Sequence, residues 1–91
     1  MNNINIVEYQ HVTPQGLPVN PGLRSQDVTF DKTGGEADPF HHLTQYIRLI
    51  ADVPCKIRFS GSDTELILSG DDSEVLALGP GSDRKLYVVE L

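Results

Sequence analysis

The sequence predicts an all-β domain, a small antiparallel β-sandwich or barrel with an extended Pro-rich N-terminal arm. Three observations carry the prediction. Apolar residues recur at every second position in short runs, such as Ile4/Ile6, Val28/Phe30, Cys55/Ile57/Phe59 and Leu86/Val88. Alternation with period two is the mark of a strand with one buried face. Clusters of Gly, Pro, Asp and Ser separate these runs at short intervals, as expected of turns between strands. No stretch holds a sustained helical stripe. Phe40, Leu43, Ile47 and Ile50 come nearest, but residues 46–50 are rich in β-branched and aromatic side chains and follow Pro39.

The chain opens with a short strand over residues 4–9, with Ile4 and Ile6 on one side. Residues 11–26 then carry Pro14, Pro18 and Pro21 with Gly16 and Gly22. Each proline removes a backbone donor and fixes φ, so this stretch is neither a helix interior nor a central strand. It reads as an arm, and long structureless connections of this kind are commonly functional. Residues 1–25 are therefore expected to form a strand and arm, and residues 26–91 a β-sandwich core.

Ser25 to Phe30 alternates again, with Val28 and Phe30 inward, and Asp31 to Pro39 is a polar loop with a Gly-Gly pair. Thr44 to Phe59 (TQYIRLIADVPCKIRF) is the centre of the pattern. Two alternating runs flank Ala51-Asp52-Val53-Pro54, which predicts a β-hairpin with Ile47, Leu49, Ile57 and Phe59 in the core. Its other face would carry Arg48, Lys56 and Arg58 side by side. Later strands are expected at residues 64–68, 73–78 and 84–91, with Leu66/Leu68, Leu76/Leu78 and Leu86/Val88 on their apolar faces.

Bulk properties narrow the function. Ninety-one residues suffice for one domain, with acids outnumbering bases 13 to 7 and a net charge of −6. An acidic chain lacks the basic footprint of a general nucleic-acid binder. No apolar run approaches the roughly 20 residues that span a membrane, and the first residues lack the pattern of a secretory leader. Neither nucleic acid nor membrane is expected as a partner. Cys55 is the only cysteine, which rules out an intrachain disulfide and reads as a buried, inert thiol.

Chemistry-bearing motifs are sparse. His41-His42 invites a metal, but neighbouring side chains on an extended chain point apart, and no spacing supplies further ligands. The acids at Asp31, Glu36, Asp38, Asp63, Glu65, Asp71, Asp72 and Glu74 match no Ca²⁺ loop and suit turns. No nucleophile elbow or phosphate loop occurs. No catalytic residue, metal ligand or cofactor is expected, and the chain does not read as an enzyme. The candidate partner-binding residues are Pro14, Leu17, Pro18, Val19 and Pro21 in the arm, and Arg48, Lys56 and Arg58 in the predicted hairpin. The three bases either pair with an acidic strand bearing Glu65 or Glu74, or meet an acidic partner surface.

One further pattern is visible. The Gln26-Asp27-Val28-Thr29-Phe30 strand is followed by Thr44-Gln45-Tyr46-Ile47-Arg48-Leu49 and then Asp52-Val53-Pro54-Cys55-Lys56-Ile57-Arg58-Phe59. Pro80-Gly81 and a Lys85-Leu86-Tyr87-Val88 strand close the chain. Over residues 20–90 this resembles a group of small structural proteins of tailed bacteriophages, although Ser60 stands where the group has glycine and Gly61 comes one position later. The resemblance implies a virion component made in the bacterial cytoplasm. Its most plausible form is a capsid decoration, or cement, protein that binds the outer shell surface. The implied partners are the major capsid protein and further copies of the chain, as a dimer or trimer. Deleting Met1 to Gly22 is then expected to abolish capsid binding and leave the β core folded. A head–tail adaptor or a tail- or fibre-associated part are alternatives within the same resemblance. A non-viral β-sandwich binding module is the alternative outside it. That module would need a concave aromatic patch, and the chain has three tyrosines and no tryptophan.

Overall fold

A computed structural model describes residues 2–15, 22–60, 65–70, 73–78 and 85–91. Eight strands form: β1 (Asn2–Tyr9), β2 (Arg24–Phe30), β3 (Gly35–Glu36), β4 (Tyr46–Ala51), β5 (Cys55–Phe59), β6 (Glu65–Leu68), β7 (Ser73–Ala77) and β8 (Leu86–Glu90). Among the described residues there is no helix. Sheet I has the order β2-β1-β4-β7 and sheet II the order β3-β8-β5-β6, with every pairing antiparallel.

The alternating residues do what their spacing requires. In sheet I, Ile4, Ile6, Val28, Phe30, Ile47, Leu49 and Ala51 turn to one face and are buried. In sheet II, Cys55, Ile57, Leu68, Leu86 and Val88 do the same. The two sets form one cluster, so each sheet covers the other's apolar face. Phe59 lies at the margin of that cluster, half-buried. The shortest dimension of the molecule is 20 Å, as expected of two sheets stacked about 10 Å apart with side chains on both outer faces.

The expected hairpin at residues 44–59 does not form. Both of its strands exist, but β4 belongs to sheet I and β5 to sheet II. Residues 52–54 carry the chain from one sheet to the other. Asp52 fixes the departure: its N–H donates to Asn3 O at 3.1 Å, and its Oδ1 accepts the Asn3 N–H at 3.0 Å. Leu91 N–H donates to Pro54 O on the far side at 3.4 Å. The physical reason lies in the turn. A two-residue hairpin turn needs positive φ at its centre, which Val53 and Pro54 disfavour, and the ends of this segment bond to different sheets, Asp52 to Asn3 on β1 and Pro54 to Leu91 after β8. Gly70, at φ 85°, presses the later β6–β7 connection against this corner; a Cβ there would lie 2.9 Å from Val53 C.

The N-terminal strand is central. β1 pairs with β2 on one side and with β4 on the other, and Ile4 and Ile6 are fully buried. Residues 1–25 thus give their strand to the same core as residues 26–91. A deletion of Met1 to Gly22 would remove a central strand, so the expectation that such a truncation leaves the core folded is corrected.

Candidate interaction surfaces

The strands fix where each candidate side chain points. On β4, Ile47, Leu49 and Ala51 are buried, so Tyr46, Arg48 and Ile50 occupy the outer face of sheet I. On β5, Cys55 and Ile57 are buried, so Lys56 and Arg58 occupy the outer face of sheet II. The three bases therefore do not form a stripe. They were expected together because β4 and β5 were expected to pair; the sheet change sends them to opposite outer faces.

Lys56 and Arg58 stand in a mixed-charge surface. Lys56 Nζ lies 3.7 Å from Glu65 Oε2 on β6, the acidic-strand pairing that was one of the two expected outcomes. The Arg58 guanidinium lies 5.4 Å from the centre of the Tyr87 ring, a cation–π contact. Lys85 pairs with Glu36 nearby. A shallow depression of about 450 Å³ runs across this face, bordered by Gly34, Glu36, Lys56, Arg58, Glu65 and Tyr87. Exposed ion pairs of this kind contribute little to stability.

Arg48 has different neighbours. Its register partners are Val7 on β1 and Val75 on β7, and Tyr46 and Ile50 flank it along β4. Arg48 is half-buried, and its Nε is shielded from water with no hydrogen-bond acceptor among the described residues.

Of the arm candidates, Pro14 is exposed. Leu17, Pro18, Val19 and Pro21 lie outside the described residues. Gly22, just before β2, sits against β1: a Cβ there would lie 2.9 Å from Glu8 O and 3.1 Å from the Val7 side chain. Leu23 N–H donates to Glu8 O at 2.7 Å, and β2 then pairs back along β1.

The sequence reading passed over Glu8, which is fully buried together with Thr44. Glu8 Oε2 accepts the Arg24 Nε–H at 2.8 Å. Glu8 Oε1 accepts the His41 N–H at 2.7 Å and the Thr44 hydroxyl at 2.9 Å. Arg24 also donates through Nη2 to Pro39 O at 2.9 Å. The pair thereby ties residues 39–44 to the end of sheet I. Parity along β1 did signal it: Glu8 follows Ile4 and Ile6 at the same two-residue spacing, on the buried face.

His41 and His42 also depart from expectation. Their rings stack at 4.4 Å between centroids and 24° between planes. The chain turns here, with Thr44 N–H donating to His41 O, so the opposed geometry of an extended strand does not apply. His41 Nδ1 accepts the Leu43 N–H at 3.1 Å. Among the described residues, no three His, Cys, Asp or Glu side chains are grouped so as to share an ion.

The two sheets meet unequally at their sides. On one side β2 packs against β3 and β8. On the other, β7 ends sheet I and β6 ends sheet II, with a cleft of about 150 Å³ lined by Ile67, Leu68, Ser69 and Glu74. Ile67 is 68% exposed, Val75 40% and Leu66 39%. No known protein-family model matches the chain, and comparisons with curated proteins and with solved structures yield no match.

Proposed function

We propose that this protein is a non-enzymatic β-sandwich binding module that fastens parts of a larger assembly, its most concrete form being a decoration protein on the capsid of a tailed bacteriophage. The observation that carries the reading is the pair of neighbouring edge strands β6 and β7 with exposed Leu66, Ile67 and Val75. Edge strands present unpaired backbone groups, and apolar side chains beside them favour strand addition by another chain. A domain of this size buries only about 60–65% of its unfolded surface, so contact with a shell would also stabilise the fold. Glu8, the buried acid among the described residues, is committed to structure through both of its oxygens.

The resemblance over residues 20–90 supplies the virion setting, with the major capsid protein and further copies of this chain as partners. The Pro-rich segment serves as an arm across a neighbouring subunit, a stiff element with little to lose on ordering. A head–tail or tail-associated position is the second reading within that setting.

The test begins with the genes beside this one. Purified protein is mixed with shells assembled from the neighbouring major capsid protein and imaged. Many copies spread over the shell are expected. A ring at one vertex would transfer the assignment to an adaptor. Failure to bind at all would remove the virion reading. A second sample, with residues 14–21 replaced by a short Gly-Ser link, keeps β1 and is expected to fold and to bind shells more weakly.

A further inference from the structure

We propose that the Asp38–Pro39 peptide bond is a self-cleavage site, cut in mild acid by the Asp38 side chain while Gln26 holds the carbonyl that reacts. The inference goes beyond the binding role and does not rest on the virion setting.

This is the one Asp-Pro bond in the sequence. Its nitrogen belongs to a tertiary amide and leaves as a secondary amine. The Asp38 carboxyl reaches its own main-chain carbonyl carbon through a five-membered ring, an attack within one residue that needs no second molecule. A carboxyl oxygen bonds to that carbon, and the C–N bond to Pro39 breaks. The carboxyl proton passes to the proline nitrogen. Water then opens the cyclic anhydride, leaving two carboxyl groups on Asp38 and a free amine on Pro39.

The fold holds both sides of this bond. Parity along β2 sets Arg24 and Gln26 in line with the inward-facing Val28 and Phe30, opposite the buried Glu8 and Ile6. Gln26 clamps the Asp38 backbone: its Oε1 accepts the Asp38 N–H at 3.0 Å, and its Nε2 donates to Asp38 O at 3.3 Å. Arg24 Nη2 donates to Pro39 O at 2.9 Å. The flanking Ala37 and Phe40 are buried, and Ala37 N–H donates to Leu86 O at 2.9 Å. Asp38 and Pro39 themselves are exposed, which admits acid and water.

The Gln26 donor falls on the oxygen where charge develops. As the carbonyl carbon becomes tetrahedral, negative charge gathers on Asp38 O, and a donor already aimed there stabilises it. At 3.3 Å the contact is long for a resting carbonyl, and contacts of this kind tighten as the reaction proceeds. Of the described charged or titratable groups along this segment, Arg24 is paired with Glu8, Lys85 with Glu36, and His41 stacks on His42. After the cut, β1 still pairs with β4 and β3 with β8, so residues 1–38 and 39–91 stay together as one nicked domain.

Full-length protein is held at the lowest pH at which circular dichroism reports the native fold, and its mass is followed under denaturing conditions. The reference is the capped peptide acetyl-Ala-Asp-Pro-Phe-amide in the same buffer. The expected result is two fragments, residues 1–38 and 39–91, formed about tenfold faster than the peptide is cut. Asp38→Asn and Pro39→Ala should abolish the cut. Gln26→Met, checked for folding by thermal melting, should slow it about tenfold, the loss of one hydrogen bond to the developing charge. Absence of fragments, scission at another bond, a rate no greater than the peptide's, or an undiminished rate in folded Gln26→Met would overturn the proposal.

Discussion

Glu8 and Arg24 face each other across the end of the β1–β2 pair, with Arg24 Nε donating to Glu8 Oε2 at 2.8 Å. Glu8 is fully buried, whereas the Arg24 side chain is 38% exposed. Water screens the arginine's side of the interaction, so the carboxylate relies equally on the His41 N–H and the Thr44 hydroxyl. Removing the acid leaves several donors without their acceptor. Glu8→Ala is expected to lower stability by about 2–4 kcal/mol, Arg24→Ala by about 1 and Thr44→Val by about 1–2. Urea denaturation at constant slope measures each. Equal losses at Glu8 and Arg24 would show that the ion pair alone accounts for the effect.

The sheet change at residues 52–54 makes a geometric prediction. Arg48 and Val75 are cross-strand partners, within about 4.5–5.5 Å at Cα, inside the range a disulfide spans. Arg48 and Lys56 point from opposite outer faces of layers about 10 Å apart. In a Cys55→Ala background, Arg48→Cys with Val75→Cys should oxidise to an intramolecular bridge, and Arg48→Cys with Lys56→Cys should not. Mass spectrometry after mild oxidation distinguishes them. Ready closure of the second pair would restore the hairpin.

Cys55 is fully buried, and burial, with Asp52 adding to it, pushes its thiol above the ordinary range. The unfolded chain therefore loses this proton first as pH rises. The contribution is intact below the ordinary thiol range and declines as pH climbs through it toward the folded value. Native protein at pH 8 should react with a maleimide far more slowly than protein in urea. Equal rates would mean that the β5 side of the core opens readily.

Asp27 lies at an exposed position, and hydrogen bonds from Asn5 first and Asn3 second hold its carboxyl below its ordinary value of 3.8. The folded state thus favours the charged form. This contribution is present above the ordinary value and is lost as pH falls through the folded one. Asn5→Ala should move the Asp27 titration, followed by carboxyl NMR, back toward the ordinary value. An unchanged titration would mean that neither asparagine holds the carboxylate in solution.

Legibility in the sequence followed the reach of each rule. Two-residue spacing identified the inward faces of β1, β2, β4, β5 and β8, because a strand's side chains alternate whatever it pairs with. Leu66 shows the limit of that rule: it alternates with Leu68 yet stays 39% exposed, since β6 is an edge strand. The same blindness produced the missed hairpin. An alternating run states that one face is oily, but not whether the next run lies beside it or across the core from it. Both arrangements bury Ile47, Leu49 and Ile57.

What the sequence determined by itself was the strands other than β3, which it read as loop, the oily faces of β1, β2, β4, β5 and β8, and the inward place of Cys55, all consequences of short-range stereochemistry. Tertiary structure alone decided that Arg48 parts from Lys56 and Arg58, that β1 is central, and that Glu8 anchors residues 39–44. Those outcomes depend on which strand each backbone hydrogen bond reaches. Partners of that kind lie far apart in sequence, where no local pattern records them.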